Sequence, residues 1–493
     1  MKFNMKIIIF TLSFLSMFKT EAQELKNRRP NIIMVITDDQ GMGDLSCMGN
    51  PILKTPHLDK FYKTSTRFTD FQVSPTCAPT RSAIMSGRAP FKNGVTHTIY
   101  QRERMALDVF TMPQALQKAG YNTGLFGKWH LGDEEVYLPG NRGFDEVLMH
   151  GAGGVGQVQY GDFPPNGDNP YFDSVLLHNK TIVQTKGFCT DLFFESTLAW
   201  IKEQEKVEKP YFAYVALNAP HSPYIAPEKY KKRFLEAGFD EKTAGRYGMI
   251  ENIDDNFGAF MKKLESWKVL DNTLVIFMTD NGMANGFMLN RNGKKEMPFN
   301  AGLKGVKNSP HEGGTHVPAF WYWRGVLGEG VDIDALTAHI DLYPTFSDLA
   351  GVELPSHMQD LDGKSLVPLL QNPKATWPDR ELFINSGRWD VGEREASKYT
   401  NSAVRSQKWR FVNNKELYNI SIDPGETTNV ASANPVELTK FRKLYDQWWA
   451  STLPLLVNEG LPLVKPENQP FAKRYYKQLK EKGIPIWEPA KID

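Results

Sequence analysis

Two acidic pairs in this chain stand directly behind apolar runs of strand length. Asp38-Asp39 follow Asn31-Ile-Ile-Met-Val-Ile-Thr37, and Asp280-Asn281 follow Thr273–Met278 and Thr279. All four side chains offer hard oxygen ligands, and no His or Cys accompanies them at zinc-like spacing. Such a set suits Ca²⁺ or, as second choice, Mg²⁺. A lone Asp-Asp behind a strand is more often a turn or a helix cap. Two such pairs behind two buried strands move the balance toward a metal. A third segment, Cys77-Ala-Pro-Thr-Arg81, precedes Ser82-Ala-Ile-Met-Ser-Gly-Arg88. A helix over Thr80–Met85 places Cys77 near its positive end with Arg81 one turn on, a favourable position for an anion. The plainer reading of a lone cysteine there is a buried thiol. Lys128 and His130 (in Gly127-Lys-Trp-His-Leu-Gly132) and His221 (in His221-Ser-Pro) also follow strand-like stretches.

These segments need a scaffold that brings them together. The continuous apolar runs Asn31–Thr37, Tyr211–Leu217 and Thr273–Met278 read as strands buried on both faces. Between them the pattern predicts helices over Thr55–Ser65, Thr111–Gly120, Thr190–Gln204 and Thr243–Leu264. Strands alternating with helices imply an α/β domain with a mainly parallel sheet. In such sheets ligands bind beyond the carboxyl ends of the strands, and that is where each polar cluster falls. From about Arg380 the texture changes to short stretches separated by turn residues, then a helix over Glu437–Trp449. This predicts a smaller antiparallel sheet with a helix. The expected division is a catalytic domain over 23–379 and a C-terminal subdomain over 380–493. The Gly-rich stretch from His150 to Gly161 reads as a long irregular loop of the kind that lines binding sites.

The chain has 493 residues, 58 Lys+Arg against 57 Asp+Glu, and 41% hydrophobic residues. This excludes disorder and coiled coil for the whole chain. A formal net charge of +1 leaves no basic footprint for nucleic acid. Met1 to Ala22 reads as a secretory signal: Lys2 and Lys6, an apolar stretch too short to span a bilayer, then Thr20-Glu-Ala22. No later run is a transmembrane segment, so the expected location is periplasmic or secreted. Three cysteines, Cys47, Cys77 and Cys189, leave at least one outside any disulfide within the chain.

The motif Cys77-x-Pro-x-Arg81 followed by Ser86-Gly-Arg88 resembles the signature of the type I sulfatases. Five further segments match that family in order: Asp38-Asp-Gln-Gly-Met-Gly-Asp44, Gly127–Gly132, Thr279-Asp-Asn-Gly282, Leu303–Gly314 and Glu416–Asn429. The resemblance implies an alkaline-phosphatase-like fold and hydrolysis of a sulfate ester. It also implies that a maturation enzyme converts Cys77 to formylglycine, whose hydrated gem-diol attacks sulfur with one oxygen and expels sulfate with the other. By the same resemblance, one Ca²⁺ is held by Asp38, Asp39, Asp280, Asn281 and the modified Cys77, and Asp280 also takes the nucleophile's proton. Arg81, Lys128 and Lys307 stabilise the diol and the transferring group. His221, with Lys307 nearby, protonates the leaving alcohol, and His130 contacts the second diol hydroxyl. Lys128, His221 and Lys307 thus also bind substrate. Lys304 competes with Lys307, but register to Glu312-Gly-Gly314 favours Lys307. His311 stands where many relatives carry an aromatic residue, and packing is the reading favoured for it.

The expected substrate is a sulfated oligosaccharide or polysaccharide. Segments His150–Tyr171, Met283–Asn300 and Ser386–Lys398 are the candidates for reading the sugar, with Trp389, Arg388, Arg394 and Arg291 suited to stacking and hydroxyl contacts. Two alternatives stay open. One is a phosphodiesterase or phosphonate hydrolase of the same superfamily. The other is a non-catalytic protein that binds sulfated glycans.

Overall fold

The computed structural model describes residues 24–165, 167, 169–354, 360–461 and 464–492. The expected signal segment lies outside them. A ten-stranded sheet forms the larger layer. Its centre is five parallel strands in the order Thr273–Thr279, Asn31–Thr37, Tyr211–Ala216, Asn122–Lys128 and Glu146–His150. Ala319–Tyr322 joins one side antiparallel, and Val175–His178 and Thr181–Gln184 extend the other side as antiparallel strands.

The alternation of side chains explains why these runs are apolar throughout. Ile32, Met34 and Ile36 enter one core beneath helices Met112–Lys118 and Leu342–Ala350. Ile33 and Val35 enter the other, against Ile253, Phe257, Phe260 and Leu264 of helix Glu241–Ser266. A strand covered on both faces has no solvent side on which polar residues would be tolerated. The parallel register puts the carboxyl ends of all five strands on one edge. Thr37 pairs with Thr279, Gly127 with Ala216, and Lys128 with His150. Asp38, Asp280, Lys128 and the loop after Ala216 therefore emerge side by side.

The smaller sheet is a meander of Leu382–Asn385, Ser402–Arg405, Trp409–Val412 and Glu416–Asn419, all antiparallel. Helix Pro435–Thr452 covers it through Phe441, Tyr445, Trp448 and Trp449. A buried ionic network ties the smaller sheet to the short helix Glu312–Thr315 that precedes strand Ala319–Tyr322. Glu312 accepts from Arg405 Nε at 2.8 Å and from Arg410 Nε at 3.0 Å, and all three side chains are buried. The chain then returns to the large sheet. Gln478 of helix Pro470–Lys482 bonds both the N–H and the carbonyl of Ile182, which covers the edge strand Thr181–Gln184.

The observed bounds differ from the sequence pattern in both directions: helices Pro56–Thr64 and Met112–Lys118 are shorter than expected, and two elements at the site are longer. Helix Cys77–Ser86 begins at Cys77 rather than at Thr80, and strand Asn122–Lys128 includes Lys128 rather than stopping at Phe126. The strands Glu146–His150, Val175–His178 and Thr181–Gln184 were not expected. Among the described residues, no helix is long and apolar enough to cross a membrane.

Candidate active site

The strand ends deliver three buried carboxylates, and each is met by a different cation. Asp38 Oδ2 lies 2.5 Å from Lys128 Nζ. Asp39 Oδ1 lies 2.6 Å from Lys307 Nζ. Asp280 Oδ2 accepts from Arg81 Nη2 at 2.9 Å and from Nε at 3.1 Å. Arg81 is fixed further by the carbonyls of Lys128 (3.1 Å) and Leu217 (3.2 Å), so one guanidinium ties three strand ends together. The anion-favouring helix start predicted for Cys77 is present, with Cys77 as the first helical residue. Its Sγ belongs to a buried group with carboxylate oxygens of Asp38 and Asp280, all within 4.8 Å of one another.

Two glycines let the backbones approach. A Cβ on Gly282 would lie 1.8 Å from the carbonyl oxygen of Gly313, which is why Asn281-Gly282 can dock on Gly313-Gly314. Gly127 has φ +120°, and a Cβ there would lie 2.0 Å from the Ala216 carbonyl oxygen. Asp39 and His130 sit in the left-handed region at φ 63° and 61° without being glycines. Backbone strain of this kind gathers at functional sites. Arg246 underpins Asp39: it binds Asp44 through two bonds (2.9 and 2.6 Å) and donates to the Asp39 carbonyl at 3.0 Å.

Two oxygens in this group are orphans. Asn281 Nδ2 donates to Asp39 Oδ1 at 2.9 Å and to the Gly282 carbonyl at 2.8 Å, which leaves Asn281 Oδ1 buried without a partner. Asp38 Oδ1 is likewise buried and unpartnered. Unmet buried acceptors cost free energy unless a ligand or water satisfies them. A hard cation meets that need, so the donor set fits Ca²⁺.

Burial sets the protonation states. Burial and then the neighbouring Asp38 charge push the Asp280 carboxyl up to about 6, against the pull of Arg81. Burial also raises Asp38, opposed mainly by Lys128. Asp39 is also desolvated, but Lys307 and then His221 hold it below the usual carboxylate range. His221 lies 3.9 Å from Asp39 Oδ2, and burial followed by the Lys307 charge lowers it to about 3. Its Nδ1 donates to the Ser222 carbonyl at 2.6 Å, so Nε2 carries the free lone pair. His130 is held well below its ordinary value by burial and Lys128. Its Nε2 donates to the Thr98 carbonyl at 2.8 Å, leaving Nδ1 a bare, buried base without a partner.

The sequence compares with proteins of known chemistry. The sulfatase family model matches residues 30–352. The chain belongs to the sulfatase family. A second model, for the C-terminal part of N-sulphoglucosamine sulphohydrolase, matches residues 307–447 of this sulfatase. Human N-acetylgalactosamine-6-sulfatase is 30% identical to it over 83% of this chain and 77% of that protein. Human arylsulfatase A is 29% identical over 85% of this chain and 87% of that protein. The solved structure of Ps i-CgsB in complex with k-i-k-neocarrahexaose has a TM-score of 0.74 at 27% identity, covering 88% of this chain and 94% of that one. The large mainly parallel sheet with its small antiparallel companion is thus the alkaline-phosphatase-like fold expected, and the protein is a sulfuric ester hydrolase.

The sulfatase structure separates the remaining candidates. Lys304 is engaged elsewhere, donating to Tyr418 Oη at 2.7 Å and lying 3.7 Å from Glu416. His311 packs beside Tyr418 and bonds Glu426 Oε1 through Nδ1 at 2.8 Å. Trp389 is buried against Phe91 and Trp449, so it does not serve as the sugar-stacking surface anticipated. Arg291 donates to the Ala237 carbonyl and stacks on Phe239, and Arg394 pairs with its neighbour Glu395. Cys47 and Cys189 are free thiols, the second donating to Asn218 Oδ1 at 3.5 Å. Sequence reasoning missed Thr98, Arg246 and the Glu312 network. A buried arginine in a helix leaves no periodic trace that marks its partner.

Behind His130 lies a crowded acidic group, Glu103, Asp133 and Glu134, with Arg104 bonded to Glu134 and 4.0 Å from Asp133. Burial is the main cause raising Glu103 to about 7, and burial with the Glu103 and Glu134 charges raises Asp133 to about 8. Between their ordinary values (4.5 and 3.8) and these raised ones, the folded state holds protons that the unfolded chain has lost. Stability from this group is therefore full below about pH 4 and is lost as pH rises toward 8. Asp133→Asn is expected to raise the Tm at pH 8 and to flatten its change between pH 5.5 and 8. Thermal melts at the two pH values check this, and a variant less stable at pH 8 contradicts it.

Proposed function

We propose that this sulfatase removes sulfate from a sulfated carbohydrate, using Ca²⁺ and a formylglycine made from Cys77, in an exported protein. The observation that carries the reading is the convergence of Cys77, Asp38 and Asp280 with the orphaned oxygens of Asp38 and Asn281. Asp38, Asp39, Asp280, Asn281 and position 77 would hold the ion. When bound, it supplies Lewis-acid polarisation of a sulfate oxygen and lowers the nucleophile's pKa. The modified residue supplies two geminal oxygens where a thiol had one sulfur.

The chain's own groups do the rest. Three carboxylates are matched by three cations before anything binds, so the added dication leaves a site that attracts an anionic sulfate ester. Arg81 and Lys128 sit fully buried, where a fixed charge acts at low dielectric and needs no reorganisation. Lys307 and His221 flank Asp39 on the leaving-group side. His221 is neutral at its depressed value, and the sulfate charge of a bound ester would favour the proton it must gain before passing one to the departing alcohol. His130 Nδ1, bare and buried, is the base that serves the second hydroxyl of the nucleophile. The carbohydrate assignment is supported by what the relatives are: human N-acetylgalactosamine-6-sulfatase, and a protein solved in complex with k-i-k-neocarrahexaose. A galactose-type or glycosaminoglycan sugar attacked from the chain end is the substrate class proposed.

The test has two parts. Tryptic peptide Phe68–Arg81 from protein made in its native host is expected to carry an aldehyde at residue 77, one oxygen in place of the sulfur and two hydrogens (the thiol's and one from Cβ). The same preparation is expected to desulfate sulfated sugars faster than it cleaves matched phosphate esters, and to lose that activity to a calcium chelator. An unmodified thiol in protein that nonetheless binds sulfated glycans returns the non-catalytic reading, and faster phosphate cleavage returns the phosphodiesterase. Lys307→Ala is expected to lower kcat/KM by roughly 10²–10³-fold, the scale for removing one transition-state charge partner. Lys304→Ala, at a surface ion pair, is expected to change it less than about threefold. Equal losses in the two variants contradict the assignment of Lys307.

A further inference from the structure

The smaller sheet delivers one arginine to the catalytic loops that the chemistry above does not use. Arg388 follows strand Leu382–Asn385 in Ser386-Gly-Arg-Trp389. Its Nη2 donates to Thr98 Oγ1 at 2.9 Å, and the carbonyl of the same Thr98 accepts from His130 Nε2 at 2.8 Å. The guanidinium thus sits one residue from a histidine of the candidate site.

This placement is enforced by backbone contact. Arg102, 2% exposed, donates to the carbonyls of Trp389 (2.8 Å) and Gly387 (2.5 Å) and lies over the Trp389 ring at 4.8 Å. Its Nε reaches Thr96 Oγ1 at 2.9 Å and Glu459 at 3.0 Å, and Glu459 also takes the Trp389 indole N–H at 2.6 Å. Gly387 has φ +64°, and a Cβ there would lie 1.9 Å from the Thr96 carbonyl oxygen. The loops 96–102 and 386–389 are clamped face to face, so Arg388 is presented at a fixed place.

The two arginines differ in what they have left to give. Arg102 is spent on carbonyls and a carboxylate, as a structural arginine is. Arg388 is exposed, and among the described residues no carboxylate pairs with it. One of its five N–H groups goes to Thr98, and on this exposed side chain the others have no hydrogen-bond acceptor among the described residues. His97 stands next to it. Its Nδ1 accepts from the N–H groups of Thr98 (2.8 Å) and Ile99 (3.1 Å), which places its ring proton on Nε2 as a further donor. The partly exposed Tyr100 ring lies 5.2 Å from the His97 ring.

We propose that Arg388, with His97 Nε2–H beside it, binds a second anionic group on the substrate, a carboxylate or another sulfate, on the reacting sugar or its neighbour. The inference rests on the sulfatase reading and deepens it, because it names the substrate as a polyanionic rather than a singly sulfated glycan. A pre-positioned guanidinium recognises planar or tetrahedral oxyanions through paired N–H donors and loses little side-chain freedom on binding.

Binding is read first, in full-length Cys77→Ala protein, so that no turnover is needed. Titration calorimetry compares three ligands: one neutral sugar bearing one sulfate, the same sugar linked to a uronate, and the same sugar bearing two sulfates. Adding Arg388→Ala is expected to weaken a doubly anionic ligand about 10–100-fold more than the singly sulfated one. Arg388→Lys is expected to restore part of that difference. A larger loss with the uronate identifies a carboxylate, and a larger loss with the disulfate identifies a second sulfate. Equal weakening of all three ligands, or none, overturns the proposal. In active enzyme the same discrimination is expected in KM. A uniform fall in kcat with KM unchanged assigns Arg388 to positioning of Thr98 and His130 instead. Absence of any sulfate-ester turnover in the unsubstituted enzyme counts against the sulfatase reading and leaves the calorimetric comparison standing.

Discussion

Cys77→Ser is expected to lose multiple turnover by at least about 10³-fold, the scale on which removing a nucleophile acts in other hydrolases. The fold should survive. Cys77 is 1% exposed at the head of helix Cys77–Ser86, and serine replaces its sulfur with one smaller atom, so nothing is overpacked. The loss is chemical. A serine hydroxyl can attack sulfur, but the resulting sulfate ester has no geminal oxygen with which to expel its sulfate. The variant should therefore make one sulfated serine per molecule and stop. Cys77→Ala should make none. Steady-state rates, intact mass after substrate addition and a thermal melt distinguish these outcomes. Normal multiple turnover by Cys77→Ser would falsify the two-oxygen mechanism, and a melt lowered by more than a few degrees would ascribe the loss to misfolding.

The elements around the site were legible because their burial is total. Asn31–Thr37 is apolar from end to end since both faces are covered, and its length marks where the strand must stop and Asp38 emerge. The same logic exposes Thr273–Thr279 and Tyr211–Ala216. The short edge strands Val175–His178 and Thr181–Gln184 were not legible. Four residues carry too little periodicity, and their pairing is fixed by neighbours distant in sequence. The site was legible where a motif carries several residues at once, as in Cys77–Arg81 or Asp280–Gly282. It was illegible where a role depends on contact across the two sheets. Trp389 looked like a sugar platform by residue type, yet Arg102 and Glu459 draw it into the core. Arg388, its neighbour in sequence, is the residue left outside. No feature of the segment Ser386–Lys398 alone separates the two.

Asp280→Ala is expected to cost both activity and stability, and the two losses have separate causes. Asp280 is fully buried, and its Oδ2 takes two bonds from an equally buried Arg81. Removing the carboxylate leaves the guanidinium bonded to the Lys128 and Leu217 carbonyls, with no carboxylate hydrogen-bonded to it among the described residues. Stranding a buried charge in this way typically costs about 3–5 kcal/mol. Asp280→Asn isolates the catalytic part. It keeps the shape and one acceptor for Arg81 but gives up the negative charge, so its stability loss should be the smaller of the two. Its turnover should still fall roughly 10²–10³-fold, because a charge partner at the reacting centre is gone. On the proposed reading its calcium affinity should fall in parallel, since one of the anionic ligands would have become neutral. Calcium titration followed by melting temperature reads that affinity without any turnover. If Asp280→Asn binds calcium as tightly as the unsubstituted protein and yet is slow, Asp280 acts on the proton of the nucleophile and stands outside the metal shell. If affinity and rate fall together, one carboxylate holds the ion, anchors Arg81 and orders three strand ends. That coupling would account for a carboxyl pushed up to about 6: burial penalises its ionised form, a penalty that a bound cation would offset.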